Sequence, residues 1–282
     1  KHAMAGLKLG GGKAVIIRTQ DCAGTDAIFE RYGELIDQLN GDYVTGEDVG
    51  ISVDIMEKVA RRTRYVTGLS RRAGRAGGDP SPNTAFGIFK GIEAAVKFKL
   101  GEDSVAGLKV AVQGAGNVGY HLCKLLHEAG ASLIIADIDA ERVRRVTDEL
   151  GASNVPIDEI LVQKVDVVAP CALGAIINER SISALETTII AGGANNQLAT
   201  SEDGQRLHEA GILYAPDYVI NSGGIINVAS EYFGDATEAE VVERTAQIGP
   251  RLTRIFEESA ASDRPTNVVA DEMARKLIAD GT

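Results

Sequence analysis

The sequence predicts an α/β fold: a doubly wound parallel sheet joined to a smaller α/β segment. Three observations predict it. Five short apolar runs alternate with helical ones between residues 109 and 215. A glycine-rich turn at 114–119 separates the first of those runs from the helix that follows. The first seventy residues also mix short apolar runs with amphipathic stretches, but without that regular alternation.

The elements follow in chain order. Ala14 to Ile17 reads as a short apolar strand. Ile28, Phe29, Tyr32, Leu35, Ile36 and Leu39 recur at helical spacing and predict an amphipathic helix. Tyr43 to Thr45 reads as a strand end, Val53, Met56 and Val59 as a short helix, and Tyr65 to Thr67 as another strand. The stretch RRAGRAGGDPSP, residues 71–82, holds Gly, Pro and charge without a period, so it reads as a loop and a domain boundary. Its basic cluster, Arg71, Arg72 and Arg75, is either a solvated face or a phosphate contact. Strands are then predicted at Lys109–Gln113, Leu133–Ala136, Asp166–Ala169, Thr188–Ala191 and Ile212–Ala215. Helices are predicted at Val118–Ala129, Asp139–Leu150, Asn178–Leu185 and Gly204–Ala210. Continuous apolar strands separated by helices indicate a parallel sheet covered on both faces, and right-handed crossovers make it doubly wound. The tail from Gly223 is helical again, with Val241, Ile248, Leu252 and Ile255 on one apolar face and Pro250 interrupting it.

Length and composition narrow the function. A chain of 282 residues, at roughly 150 per domain, makes about two domains. Lys+Arg 29 against Asp+Glu 40 gives a net charge of −11, which argues against nucleic acid or an anionic membrane as partner. No apolar run approaches the ~18 residues of a membrane span, and no signal-peptide pattern is present. Cys22, Cys123 and Cys171 are far apart and form no CxxC pair, which predicts a reducing, cytoplasmic setting. The four histidines include no HxxxH pair, so no metal site is predicted.

Gly114-Ala115-Gly116-Asn117-Val118-Gly119 follows the strand VAVQ and opens a helix. Alone, GxGxxG is weak; between a strand and a helix it predicts a dinucleotide site. Gly114 allows a tight turn, Gly116 admits a pyrophosphate, and Gly119 lets helix and strand pack closely. The helix N-terminus offers unpaired N–H groups to phosphates. The second strand ends at Asp137, 23 residues after Gly114, where an acid can accept from a ribose 2′-hydroxyl and repel a 2′-phosphate. That favours NAD over NADP. Arg142, Arg144 and Arg145 downstream are either an exposed helix face or a counterweight to that preference.

Two further stretches carry chemistry. Gly10-Gly11-Gly12-Lys13 permits unusual backbone angles beside a lysine. Thr45-Gly46-Glu47-Asp48-Val49-Gly50 puts acids between two glycines. Each also has a plain reading: the first as a loop, Asp48 as the cap of the next helix.

Taken together, GLKLGGGKAVI, TGEDVG, YVTGLS, GDPSPNTAFG, VQGAGNVGYHLC, APCALGAIIN, AGGANNQL and GILYAPDYVINSGGIINVA resemble the glutamate/leucine/phenylalanine/valine dehydrogenase superfamily, most closely its leucine dehydrogenase branch. The match spans nearly the whole chain in one order. It implies a Rossmann-like NAD domain at 85–222, a smaller substrate and catalytic domain at 1–84 that lacks its N-terminal part, and a hinge with C-terminal helices at 223–282 packing back towards the substrate domain. The cleft between the domains would close on the substrate. It implies oxidative deamination of an L-amino acid with NAD, by a homo-oligomer, a dimer or an octamer.

Carried over by residue, Lys1 would grip the substrate carboxylate, Lys13 would polarise the substrate and position water, and Asp48 would shuttle protons. Lys1 and Lys13 would lower each other's pKa. Thr84, Asn195 and Asn196 would line the nicotinamide end. Ala169, Pro170 and Cys171 would form a loop near the cofactor ribose, and Asn221 would mark where chain and cleft meet. A nucleophilic Cys171 is disfavoured, since no histidine base is evident nearby. Ile225 and Val228 would line the side-chain pocket with Gly46 and Leu7. The chain departs from the family's pattern at Thr19-Gln20, after the GGGK strand, and at Gly46, where leucine enzymes tend to carry Ala and phenylalanine enzymes Gly; Val228 is of the leucine type. Leucine-like aliphatic substrates are therefore expected. The alternatives are a phenylalanine dehydrogenase, or a dinucleotide-binding sensor without turnover. The joint presence of Lys1, Lys13 and Asp48 argues against the sensor.

Overall fold

The computed structural model describes residues 1–17, 26–48, 50–70 and 76–281. Cys22, the Thr19-Gln20 departure and the cluster Arg71, Arg72 and Arg75 lie outside the described residues. In chain order the elements are α1 (His2–Ala5), α2 (Asp26–Asp37), α3 (Val53–Ala60), α4 (Ser81–Leu100), β1 (Lys109–Gln113), α5 (Asn117–Glu128), β2 (Ser132–Ala136), α6 (Ala140–Leu150), β3 (Ser153–Asn154), β4 (Val167–Pro170), α7 (Glu179–Ile182), β5 (Ile189–Ile190), α8 (Glu202–Glu209), β6 (Leu213–Tyr214), α9 (Asp217–Ile220), α10 (Gly223–Phe233), α11 (Glu238–Ala246), α12 (Ile248–Ser262) and α13 (Thr266–Ala279).

The chain divides into two compact units. The first gathers residues 1–8, 81–224 and 244–282; the second gathers 9–80 and 225–243. The segments of the two units are thus interleaved along the chain.

The first unit is built on a six-stranded, all-parallel sheet in the order β3-β2-β1-β4-β5-β6. Val110 pairs with Leu133 on one side and Val167 on the other. β1 and β4 are buried along nearly their whole length, as continuous apolar runs require in a sheet covered on both faces. Six strands stand where five were expected. The additional one, β3, is only Ser153–Asn154; it pairs with Ile134 and Ile135 through its backbone and carries no apolar pattern. The order reverses between β1 and β4, which makes the C-terminal ends of those strands the switch point where such sheets bind ligands. α6 is fixed at both ends: Asp139 caps it by accepting from the Glu141 and Arg142 amides, and Gly151 ends it in a left-handed conformation.

α4 and α12 pack unusually close. A β-carbon on Gly91 would lie 2.5 Å from Ile220 Cγ1 and 2.8 Å from Leu252 Cδ1. The tail is several helices rather than one, and Pro250 sits in the first turn of α12, where its missing N–H costs no intrahelical bond.

The second unit has a small core of Met56, Val59 and Val66, with Phe29, Tyr32 and Ile51 packed against it. The expected strands at Tyr43–Thr45 and Tyr65–Thr67 reduce to one parallel bridge, Thr45 with Val66. The expected strand at Ala14–Ile17 is absent: the segment has no ladder partner among the described residues, and Val15 and Ile17 are 76% and 82% exposed. An apolar run satisfies the pattern of a strand, but only a neighbouring backbone makes it one.

Candidate active site

The glycine turn leaves β1 where that strand is hydrogen-bonded on both sides. The Gly114 N–H donates to Ala136 O at 2.8 Å, and the Cys171 N–H to Gln113 O at 2.7 Å. Gly114 has φ +99°, and a β-carbon there would meet Ala172 at 2.9 Å. Gly116 caps α5 in an extended conformation, and Asn117 and Val118 open its first turn. At Gly116 the nearest atom to an added β-carbon is Arg142 Nη1 at 3.8 Å, so the space above this helix N-terminus is open. Tight contact at Gly114, and room at Gly116 over unpaired N–H groups, fit a pyrophosphate.

Asp137 lies beside this turn. Its Oδ2 accepts from the Ala115 N–H at 2.6 Å and its Oδ1 from the Asp139 N–H at 2.9 Å, which aims the carboxylate at the end of β2. Of the three downstream arginines, Arg144 pairs with Glu141 and Arg145 with Glu149, while Arg145 also stacks 3.5 Å over the Tyr120 ring. Arg142 pairs with Asp139 at 3.3 Å and is the one that approaches the glycine turn.

The loops after β4 and β5 continue the same edge. Ala169 and Pro170 end β4, and Pro170 O accepts from the Ala194 N–H at 2.8 Å. Gly192 is pressed against Pro170, where a β-carbon would lie 2.3 Å from Pro170 O. A β-carbon on Gly174 would lie 2.5 Å from Asn195 O. Asn196 itself adopts a left-handed φ of +52°. The Asn195 side chain collects two donors: Lys1 Nζ at 3.1 Å and Asn221 Nδ2 at 2.8 Å. Asn221 also donates to Gly193 O, and its own Oδ1 is buried without a partner among the described residues. A buried orphan acceptor is costly unless a ligand donor reaches it, and a carboxamide N–H would suit. Thr84 lies in the first turn of α4, in the same unit. Burial pushes the Cys171 thiol up to about 11, with an opposing N–H from Gly193, and drives Cys123 higher still, so both are poor thiolates.

In the second unit, Lys13 Nζ and the Asp48 carboxylate form an ion pair. The side chains are 65% and 47% exposed, and such pairs contribute little to stability. Gly12, next to Lys13, abuts the edge of the Tyr43 ring, where a β-carbon would stand 2.6 Å from a ring carbon. Asp48 does not cap the following helix: Ser52 occupies that position. Beside Asp48, Glu47 has a buried Oε2 without a partner among the described residues. Burial, then Asp79 and Glu231, raise its carboxyl above the usual range. Ile225 and Val228 are half-buried, one turn apart on α10, whereas Ile226 and Ala229 are fully covered. Leu7 belongs to the first unit.

The structure therefore gathers the sequence-derived candidates into two sets. Gly114 to Gly119, Asp137, Ala169 to Cys171, Asn195, Asn196, Asn221, Thr84 and Lys1 fall in the first unit, and Lys13, Gly46, Asp48, Ile225 and Val228 in the second. Three residues carry no sequence signal of their own. Tyr43 supports Gly12, and Thr67 places its hydroxyl 2.7 Å from where a Gly46 β-carbon would be. Glu231 accepts from the backbone at Gly68 and Leu69. Among the described residues no group of three or more His, Cys, Asp or Glu could hold a metal ion, and no helix is long and apolar enough to cross a membrane.

Comparison with known proteins places this geometry among relatives. Residues 79–141 and 135–274 match the profile of the Glutamate/Leucine/Phenylalanine/Valine dehydrogenase family. Leucine dehydrogenase from Geobacillus stearothermophilus is 47% identical over 278 residues, covering 99% of this chain and 75% of that protein. Phenylalanine dehydrogenase from Lysinibacillus sphaericus is 36% identical over 283 residues, covering 99% and 74%. The crystal structure of L-tryptophan dehydrogenase from Nostoc punctiforme superimposes with a TM-score of 0.84 at 40% identity, covering 99% of this chain and 80% of that one.

Proposed function

The chain belongs to the Glutamate/Leucine/Phenylalanine/Valine dehydrogenase family, and from that premise we propose that it catalyses the reversible, NAD-dependent oxidative deamination of a branched aliphatic L-amino acid to the 2-oxo acid and ammonia. The observation that carries the reading is the Lys13–Asp48 pair: an acid and a cation held together by the GGGK and TGED segments where neither is needed for stability.

The roles follow from the chemistry. Bound NAD supplies the acceptor for the hydride leaving the substrate Cα. Lys1 pairs with the substrate carboxylate. Asp48 takes a proton from the substrate ammonium and passes it to solvent, freeing the nitrogen lone pair that drives hydride loss from Cα. Water then adds to the iminium carbon, oriented by the Lys13 ammonium and deprotonated by Asp48. Asp48 returns that proton to the carbinolamine nitrogen and takes the hydroxyl proton as the carbonyl forms and ammonia departs. A carboxylate beside an ammonium stays ionised between these steps, as a base must.

NAD rather than NADP is supported by the Asp137 carboxylate, fixed by two backbone donors where a 2′-phosphate would bring like charge. Aliphatic selectivity is supported by Ile225 and Val228, and by Thr67, whose hydroxyl stands where an alanine methyl at position 46 would press. The missing methyl at Gly46 favours a phenylalanine enzyme as the second reading, but one such group is worth only ~1–3 kcal/mol of discrimination. The family resemblance further implies a homo-oligomer.

The test is NADH formation, followed by absorbance, with L-leucine, L-valine, L-phenylalanine and L-glutamate, each with NAD and with NADP. Fastest turnover of leucine or valine with NAD supports the proposal. Fastest turnover of phenylalanine moves the enzyme to the second reading. Dinucleotide binding without turnover of any of them defeats both.

A further inference from the structure

We propose that Glu231 is a positioning residue for this reaction, tying the helix that carries Ile225 and Val228 to the backbone that leads to Gly46 and Asp48; the inference rests on the function proposed above. Both carboxylate oxygens are used: Oε2 accepts from the Gly68 N–H at 2.9 Å and Oε1 from the Leu69 N–H at 3.0 Å. Successive amides of an extended chain point to opposite sides, so one carboxylate cannot ordinarily collect two in a row. Gly68 makes it possible, because its φ of +75° turns both N–H groups to one side. The same glycine cannot carry a side chain for a second reason: a β-carbon there would lie 2.8 Å from Glu47 Cβ.

The link runs on from this turn in one direction to the acid–base pair. Thr67, next to Gly68, donates its N–H to Thr45 O at 2.9 Å, and its hydroxyl lies 3.3 Å from the same oxygen. That hydroxyl touches the position of Gly46, two residues from Asp48. In the other direction, Glu231 follows Val228 by three residues on α10 and so shares its side of the helix. Asn227 adds a second tie by accepting from the Gly77 N–H at 3.3 Å. The placement also runs against local preference, since a carboxylate in the last turn of a helix faces the negative end of the helix dipole. The two charge-assisted hydrogen bonds offset that cost.

A purely structural carboxylate would affect every substrate alike, whereas one that sets the pocket helix against Gly46 alters selectivity. We would measure kcat and KM for L-leucine and for the shorter L-2-aminobutyrate in the wild type, Glu231→Gln and Glu231→Asp, together with the Kd for NADH. In Glu231→Gln an amide N–H replaces one acceptor. The leucine kcat/KM is expected to fall at least tenfold, mainly through KM. The leucine/2-aminobutyrate ratio is expected to fall at least threefold, with the NADH Kd unchanged. Glu231→Asp keeps the charge and is expected to recover part of the ratio. Equal losses for both substrates, or ratios within twofold of wild type in both variants, overturn the proposal. If Glu231→Gln fails to fold, the Glu231→Asp ratio decides alone. A wild-type enzyme that turns over no amino acid defeats the proposed function itself, which is a distinct result from active wild type with unchanged ratios.

Discussion

A β-carbon placed on Gly119 would stand 1.9 Å from the carbonyl oxygen of Gly114. The first turn of α5 and the end of β1 are thus in direct backbone contact, and no side chain fits between them. Gly119→Ala must push the helix from the strand, at a cost of ~1–3 kcal/mol or more. A lower unfolding temperature and at least tenfold weaker NADH binding, by fluorescence titration, are expected. Gly116→Ala separates the two effects. Its β-carbon meets nothing closer than Arg142 Nη1 at 3.8 Å, so folding is expected to be unchanged while NADH binding still weakens. Wild-type affinity in Gly116→Ala would remove the pyrophosphate from this turn.

Lys13→Ala and Asp48→Asn are expected to lower kcat by about 10²–10⁴. Because the pair is exposed, the unfolding transition is expected to move little. Calorimetry and steady-state kinetics on the same preparations check both halves. Loss of activity accompanied by an equal loss of folded protein would reassign the pair to structure.

Asp137→Ser is expected to raise NADP turnover relative to NAD. The substitution removes the charge that opposes a 2′-phosphate, and Arg142 is already near the turn. It also removes the acceptor for the Ala115 N–H, so weaker NAD binding is expected alongside. The ratio of kcat/KM for the two cofactors is the readout, and an unchanged ratio would show that specificity lies elsewhere.

Glu47 links pH to stability. Burial, then Asp79 and Glu231, raise its carboxyl above the ~4.3 of an unfolded chain. Between that value and the raised one, the native state holds the proton more firmly than the unfolded state, so stability falls as pH rises through the window. Below it both states are protonated and no cost remains. Glu47→Gln is therefore expected to unfold at a higher temperature than wild type above the window, with the difference shrinking towards pH 4. A difference that grows on acidification would reverse the assignment.

Much of this fold was legible because burial on both faces writes itself into composition. β1 and β4 are unbroken apolar runs, and the glycines of the turn sit between strand and helix. β3 was not legible, since two polar residues on a sheet edge pair only through their backbone. Ala14–Ile17 misled for the converse reason: its side chains fit a strand, but no described ladder receives it. The candidate site divides the same way. Lys13 and Asp48 stand out among glycines, whereas Tyr43, Thr67 and Glu231 act through contacts 31, 21 and 163 residues away in sequence, at Gly12, Gly46 and Gly68. No local pattern encodes such distances.

The interleaving of the two units also sets a timetable for the newborn chain. The core around Met56, Val59 and Val66 is complete in sequence by Leu69, but the partner for the Gly68 and Leu69 amides lies beyond residue 224. At about 5–20 residues per second, the ribosome delivers residues 81–224 over roughly 7–30 s before that partner follows. The smaller unit therefore waits, incomplete, through translation of the entire sheet. Its closing step comes only after the whole sheet has been made, although its core is encoded before the first strand of that sheet.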